Sequence, residues 1–299
     1  MDGDNNWSQD LSRQVLYRRW IILAFPFPSL PLAGWQPTRD TLQVYTQIIG
    51  KIRESMTPRQ KNGWHANLRA TASGLSTMPV LSSPVTFEVI LDLTLHKVLV
   101  NTSRGERWSK PLQGQSQTTF ARQLLGALSS MGIHPDISRH QYEDQTWRSY
   151  DPRAVEKFWR VFSRTEAVFQ NFRAGLYGET SPVHFCPHNF HLSLSWFSGR
   201  QALNSQGEYV DELMNFGFST GEAHIPGPYF YATALPLPDN LARMPLPAHT
   251  TWYNHDRQAA VMMYDALADS DDPEEKLLGF LEGMRWAGAR CMVPEVSSL

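Results

Sequence analysis

The stretch that most constrains the fold runs from Ser181 to Arg200 and reads SPVHFCPHNFHLSLSWFSGR. From residue 189 onward, apolar and polar side chains alternate along it. The apolar set is Phe190, Leu192, Leu194 and Trp196, and the polar set is Asn189, His191, Ser193 and Ser195. Alternation with a period of two is typical of a β-strand with one buried face. The other face carries hydroxyls and an imidazole, so it either meets bulk water or lines a pocket.

Helical and strand patterns follow one another along the rest of the chain. Apolar residues at a spacing of 3.6 predict helices over 38–55, 116–131 and 152–173, and Asp272-Pro273 predicts a last helix that ends near Arg290. Thr38 and Asp151 are expected to cap two of these helices. Strands are predicted over 64–73 and 229–235, and a β region over 86–100 with a turn at His96-Lys97 and a return strand from Val98. These patterns favour an α+β fold, with a mainly antiparallel sheet and helices packed on one side.

The chain is long enough to bury a sizeable core. Its 299 residues allow one large domain or two small ones. We expect residues 1–19 to form a disordered segment or an arm, and residues 20–299 to form a single α+β domain. Both halves contain an amphipathic helix, a loop, and a histidine that opens an alternating strand ending at glycine. This weak internal similarity suggests that residues 30–132 and 150–290 are repeated halves. Such a repeat would bring His65 and His191 into one cleft.

Composition excludes several classes of protein. The net charge is −2 without a long run of one sign, which argues against nucleic-acid binding. No window holds 18 unbroken apolar residues, so no membrane span is expected. Three prolines (Pro26, Pro28 and Pro31) interrupt the apolar N-terminal stretch, which argues against a signal helix. Two widely separated cysteines, Cys186 and Cys291, indicate a reducing compartment, and we expect a cytoplasmic protein.

Motif searches leave few chemistries open. The chain lacks the glycine-rich dinucleotide loop, the Walker loop, the H-E-x-x-H motif and the G-x-S-x-G elbow, so no organic cofactor is predicted. His184, His188 and His191 are spaced by four and three residues, as in many helical metal sites. Pro182 and Pro187 argue against a helix there. These histidines therefore remain candidates for zinc or iron binding, for acid–base chemistry or substrate hydrogen bonding, or for a structural role.

Adjacent carboxylates at Asp211 and Glu212 offer a partner for the histidines. In a strand the two side chains point in opposite directions, so only one reaches a given site. A carboxylate beside an imidazole fixes its tautomer and raises its basicity. The candidate catalytic residues are His184 and His191 as donors or bases, Asp211 or Glu212 as the orienting partner, and His65 as a second donor. The candidate substrate-binding residues are Arg39, His188, Trp196, Tyr229 and Tyr231.

Several stretches resemble the DUF5996 family, which is found widely in bacteria. They include LPLAGWQPTRDTLQVYTQIIGKIR (30–53), GWHANLRATASGLST (63–77), TFEVILDLTLHKVLV (86–100), YDPRAVEKFWRV (150–161), SPVHFCPHNFHLSLSWFSGR (181–200) and PYFYATALPLP (228–238), and the resemblance covers most of residues 28–290. The resemblance implies no established activity. It marks as family positions Trp35, Arg39, Lys51, His65, Pro182, His184, Ser198, Gly199, Arg200 and Glu212.

Two positions depart from the family pattern. His191 stands where the resemblance implies Asp, and Asp211 stands where it implies His. An exchange of this kind suggests that the two positions face each other, and that this chain has diverged towards another reaction, for instance in specialised metabolism.

The sequence thus predicts an enzyme that acts on an apolar small molecule in an aromatic-lined pocket, without an organic cofactor. Imidazole and carboxylate groups would polarise the substrate or move a proton. Cyclisation, isomerisation and elimination are reactions that such groups can catalyse. Ring closure of the pericyclase kind is one such reaction. Two alternatives remain open: a metal-dependent enzyme that binds zinc or iron through His184, His188 and His191, and a non-catalytic small-molecule-binding module.

Overall fold

The computed structural model describes residues 27–138, 142–254 and 258–292. The helices are α1 (Gln36–Met56), α2 (Gln117–Ser130), α3 (Pro152–Ala174), α4 (Asp265–Ala268) and α5 (Pro273–Met292). The strands of the N-terminal half are β1 (Arg69–Ala70), β2 (Gly74–Ser76), β3 (Val80–Ser82), β4 (Val85–Asp92), β5 (Lys97–Thr102) and β6 (Arg107–Pro111). Those of the C-terminal half are β7 (His184–Cys186), β8 (His191–Leu203), β9 (Tyr209–Ser219), β10 (Tyr229–Leu235), β11 (Thr250–Asn254) and β12 (Gln258–Met263). The segment 1–19, expected to be disordered or an arm, lies outside the described residues.

The strands form two six-stranded antiparallel sheets. The first has the order β1-β2-β4-β5-β6, with β3 also paired to β4, and the second has the order β11-β12-β10-β9-β8-β7. Neighbours in the sheets are mostly neighbours in sequence, as in meanders joined by short turns. The prediction of an antiparallel α+β fold is confirmed.

A backbone bridge joins the two sheets. Leu68, just before β1, and Phe185, in β7, exchange both backbone hydrogen bonds at 2.9 Å. Both side chains are buried. The first strand of each meander therefore lies beside the first strand of the other, and each meander extends away from this junction.

One face of the second sheet packs against the helices. Leu194, Phe216, Ala232 and Ala260 are successive cross-strand partners on β8, β9, β10 and β12, and all are buried in the main hydrophobic core. The core also contains side chains from α1, α2, α3 and α5 and from the first sheet. Because strand side chains alternate, the residues between these partners lie on the opposite face of the sheet.

Two local predictions are corrected by the structure. Helix α1 begins at Gln36 because Pro37 suits a first helical turn, so Thr38 lies inside the helix and accepts a hydrogen bond from the Asp151 amide instead of capping it. The strand expected over 64–73 is reduced to β1, because Lys61–Ala66 forms a 3₁₀ segment in which Asn62 and Gly63 adopt positive φ. By contrast, Asp151 caps α3 as predicted, by accepting from the Arg153 amide.

None of the helices in the described ranges combines the length and the apolar character of a membrane-spanning segment.

Candidate functional site

The face of the second sheet opposite the helices carries polar and aromatic side chains. His184, Ser193, Gly217, Tyr231 and Val261 are successive partners along one row that crosses five strands. The alternation seen in the sequence therefore does separate two environments. His191, Ser193 and Ser195 are buried and do not meet bulk water, whereas Asn189, in the turn before β8, is exposed.

A glycine creates the space for one of those tyrosines. An added Cβ at Gly217 would lie under 3.0 Å from the ring carbons and the hydroxyl of Tyr231. The ring of Tyr231 thus lies flat over the backbone of β9, where any larger residue would displace it. Tyr231 is 8% exposed and forms one wall of a cleft.

The cleft has a volume of about 560 Å³ and opens on this face of the sheet. Its lining combines apolar and aromatic groups with a few polar ones, as small-molecule sites commonly do. The lining includes Asn215, Glu222, Tyr229, Tyr231, Tyr253 and Gln258. They come from β9, β10, β11 and β12 and from the loop between β9 and β10, so a rigid sheet positions most of them.

A phenol–carboxylate pair lies at one end of the cleft. The Tyr229 hydroxyl donates to Oε1 of Glu222 over 2.5 Å. Burial, together with the neighbouring Glu222 carboxylate, raises the pKa of Tyr229 well above its usual range. The phenol therefore keeps its proton at neutral pH and remains a hydrogen-bond donor.

Hydroxyl and amide groups lie beyond the tyrosines. Ser193 and Ser195 donate to Oδ1 of Asn215 at 2.7 and 3.4 Å. With that oxygen occupied, the amide nitrogen of Asn215 is the group left to donate into the cleft. Gln258 and Thr233 also line the cleft, so a carbonyl or hydroxyl ligand group would find donors and acceptors there.

His191 lies beneath the tyrosines, at the start of β8. It is 4% exposed, and its ring centroid lies 5.6 Å from that of Tyr231 and 6.5 Å from that of Tyr229. The structure thus brings together three residues that the sequence analysis selected. His191 supports the two rings from below, whereas Tyr229 and Tyr231 line the cleft itself.

His184 lies on the same sheet face, one strand further from the cleft. Its Nδ1 donates to the Pro182 carbonyl at 2.8 Å, and the residue is buried. Burial lowers the pKa of His184 to about 4, and the positive charges of Arg69 and Arg53 act in the same direction. The imidazole is therefore neutral at physiological pH, and its Nε2 is an acceptor.

The adjacent carboxylates are each held by a basic residue. Glu212 is buried and accepts from Ser198 at 2.6 Å and from Arg200 at 3.0 Å. Asp211 forms an ion pair with Lys61 at 2.8 Å, and the hydrogen bond from Lys61 lowers the pKa of Asp211. As predicted, the two side chains point in opposite directions, and neither is among the residues that line the cleft.

The exchange of His and Asp does not place the two positions opposite each other. His191 begins β8, whereas Asp211 pairs with Gln201 near the far end of the same strand. The expectation that His191 and Asp211 face one another is wrong, because the long β8–β9 hairpin separates them along its length.

The other predicted residues are dispersed. His65 is buried in the 3₁₀ segment, where its Nδ1 accepts from the Gln60 amide at 3.3 Å. Arg39 forms an ion pair with Asp40 at 2.9 Å, and Trp196 donates from Nε1 to the Tyr177 carbonyl at 2.8 Å.

His188 lies on the exposed turn between β7 and β8, which separates it from the two buried histidines. Within the described ranges, no three or more His, Cys, Asp or Glu side chains are grouped so that they could hold a metal ion. Burial also raises the pKa of Cys186, the cross-strand partner of His191, to about 12, so this residue remains a thiol. The proposed triad of His184, His188 and His191 is therefore not gathered into a metal-binding group.

Sequence analysis missed Glu222, Asn215 and Tyr253. Glu222 lies in a Gly- and Pro-rich loop. Such a loop has no helical or strand periodicity, so the sequence does not show which way the side chain points. Tyr253 belongs to a strand that was not predicted. The available signal was the loop sequence TGEAH, in which an acid and a histidine directly follow an apolar strand.

Comparisons with known proteins identify the family. The model of the family of unknown function DUF5996 matches residues 27–296. No curated protein and no solved structure matches the chain. The matched region contains both sheets, the helices and the cleft, and the resemblance inferred from the sequence motifs is confirmed. The chain belongs to the DUF5996 family.

Proposed function

We propose that the protein is a small-molecule enzyme that works without an organic cofactor, by hydrogen-bond polarisation and proton transfer in the tyrosine-lined cleft. The observation that carries this proposal is the 2.5 Å hydrogen bond between Tyr229 and Glu222 inside that cleft. It couples a protonated phenol to a carboxylate, which is the donor and acceptor pair that acid–base chemistry requires.

The two ends of the cleft would have different tasks. Asn215 and Gln258 would hold and polarise a carbonyl or hydroxyl of the substrate, while Glu222 would accept a proton from a substrate carbon. In an isomerisation Glu222 returns that proton at a second carbon. In an elimination the departing group takes a proton from Tyr229, which regains one from Glu222. In a cyclisation, polarisation and shape alone would suffice.

The carboxylate partner in this proposal is Glu222, in place of Asp211 or Glu212. Both of those are engaged in ion pairs, with Lys61 and Arg200 respectively. His191 is a positioning residue, since it contacts the rings of Tyr229 and Tyr231. His184 and His65 would stabilise the surrounding strands and loops.

Metabolite profiling tests the proposal. The purified protein is incubated with a cell extract, and mass spectrometry follows the extract over time with the wild type and with Tyr229→Phe. We expect the wild type to convert a compound into an isomer or into a product of elimination, and Tyr229→Phe to slow this by about 100-fold, the usual scale for a lost proton-transfer group. Tyr209→Phe is the matched control, because Tyr209 is 72% exposed on the same strand pair.

Three other outcomes would contradict parts of the proposal. A compound that is retained stoichiometrically and returned unchanged would indicate the non-catalytic binding module. Stoichiometric zinc or iron in elemental analysis of the active protein would favour the metal-dependent alternative. Unchanged conversion by His191→Ala would remove His191 from the site.

A further inference from the structure

We infer that the cleft binds an organic cation, a protonated or quaternary amine whose charge lies against the tyrosine rings beside Glu222. This inference rests on the proposed function, because it names the charge of the ligand that the same cleft accepts. It is carried by the charges and rings of the lining.

The charges around the cleft are one-sided. Among the described residues of the lining, Glu222 carries a carboxylate and His224 an imidazole, and none carries an ammonium or a guanidinium group. Lys61 and Arg200 lie outside this lining and are paired with acids, Lys61 with Asp211 and Glu179 and Arg200 with Glu212. An anionic ligand would thus place its charge beside Glu222 with no lysine or arginine in the lining to compensate it, whereas a cation would gain an ion pair.

The aromatic rings suit the same ligand. Tyr229 and Tyr231 have ring centroids 6.0 Å apart and an interplanar angle of 51°, so two tilted rings lie side by side in the lining. Tyr253 lines the cleft from β11. Cations bind over aromatic faces at up to about 6 Å from the centroid, and proteins often enclose a quaternary ammonium group within several aromatic rings.

The Tyr229–Glu222 hydrogen bond adds to this attraction. A phenol that donates to a carboxylate gains electron density on its ring, and the ring face becomes more negative. The cation also suits the proposed chemistry, because a positive nitrogen acidifies neighbouring C–H bonds and so makes proton transfer to a carboxylate easier.

A pair of isosteres tests the inference. Choline and its neutral analogue 3,3-dimethylbutan-1-ol have the same shape and differ in charge. Amide NMR titrations at pH 8 would measure the affinity of each for the whole chain. We expect shifts in β9 and β10 and at least about tenfold tighter binding of choline, the scale of an ion pair with cation–π contacts.

Substitutions in the cleft test whether choline binds beside Glu222. Glu222→Gln should lower choline affinity about tenfold and leave the alcohol unaffected. Glu208→Gln, on the exposed β8–β9 turn, should change neither affinity. If Glu222→Gln does not fold, Tyr253→Leu and Tyr253→Phe give the same answer, since only the leucine should weaken choline binding.

The outcomes separate the two proposals. Equal affinity for choline and the alcohol, with shifts in the cleft, would overturn the cation inference and leave the cleft as a small-molecule site. Shifts from neither probe, even at tens of millimolar, would overturn the cation inference, while the conversion assay with Tyr229→Phe would still decide the proposed function. Stronger choline binding that Glu222→Gln and Tyr253→Leu leave unchanged would place the cation elsewhere and refute the inference.

Discussion

Gly217 determines where the ring of Tyr231, one wall of the cleft, lies, and replacing Gly217 with alanine tests that geometry. In a strand where nothing opposes the new methyl group, Gly→Ala is expected to stabilise a protein by about 0.4–1 kcal/mol, because the unfolded chain loses freedom. Here the methyl would lie under 3.0 Å from the ring of Tyr231. Overpacking of this kind costs about 1–3 kcal/mol. We therefore expect Gly217→Ala to destabilise the protein by about 1–2 kcal/mol.

Urea unfolding of a double-mutant cycle isolates the cause. In a Tyr231→Ala background the methyl enters vacated space, so Gly217→Ala should become neutral or stabilising, with a coupling energy of about 2 kcal/mol. Gly227→Ala is the matched control, because its Cβ would meet only the Met263 methyl group at an ordinary 3.5 Å. Equal costs of Gly217→Ala with and without the Tyr231 ring would refute the proposed contact. A lower choline affinity of Gly217→Ala would show that the position of the Tyr231 ring affects binding in the cleft.

Three further changes probe the surroundings of the cleft. His184 has its pKa lowered to about 4, below the value of about 6.5 in the unfolded chain, so the wild type should lose stability as pH falls from 6.5 to 4. The loss at pH 5 should be about 2 kcal/mol in urea unfolding, and a His184→Gln variant that shows the same loss would contradict this assignment. Glu212→Gln weakens the half-exposed ion pair with Arg200 and should cost about 1–2 kcal/mol in free energy of unfolding, with choline affinity unchanged. Leu68→Pro removes the amide that donates to Phe185 and should cost about 2 kcal/mol or more, compared with Leu68→Ile as a control; a smaller loss would show that the junction contributes little.

Local patterns predicted the elements well where neighbours in sequence are neighbours in space. The alternation along β8 identified both faces of that strand, and the Asp151-Pro152 pair identified the start of α3. Both signals depend on a few adjacent residues. They are therefore independent of how the remainder of the chain packs.

The site was only partly predictable, because its partners are distant in sequence. Tyr229, Tyr231 and His191 were selected from their pattern, but the carboxylate was placed at Asp211 or Glu212. Those side chains have basic partners, Lys61 and Arg200, that a strand pattern cannot show. Glu222 enters the cleft because its loop folds back over β10, and this depends on tertiary packing.

The junction between Leu68 and Phe185 has a consequence for how such a chain can be divided. A meander cut out on its own would expose its first strand as an open edge, with unpaired amides beside an apolar core, and such edges promote aggregation. In the intact chain each half covers the other's edge. Although both halves begin with a helix and continue as a meander, neither is therefore expected to survive as a separate soluble fragment, and insertions should be tolerated better at the outer strands than between the halves.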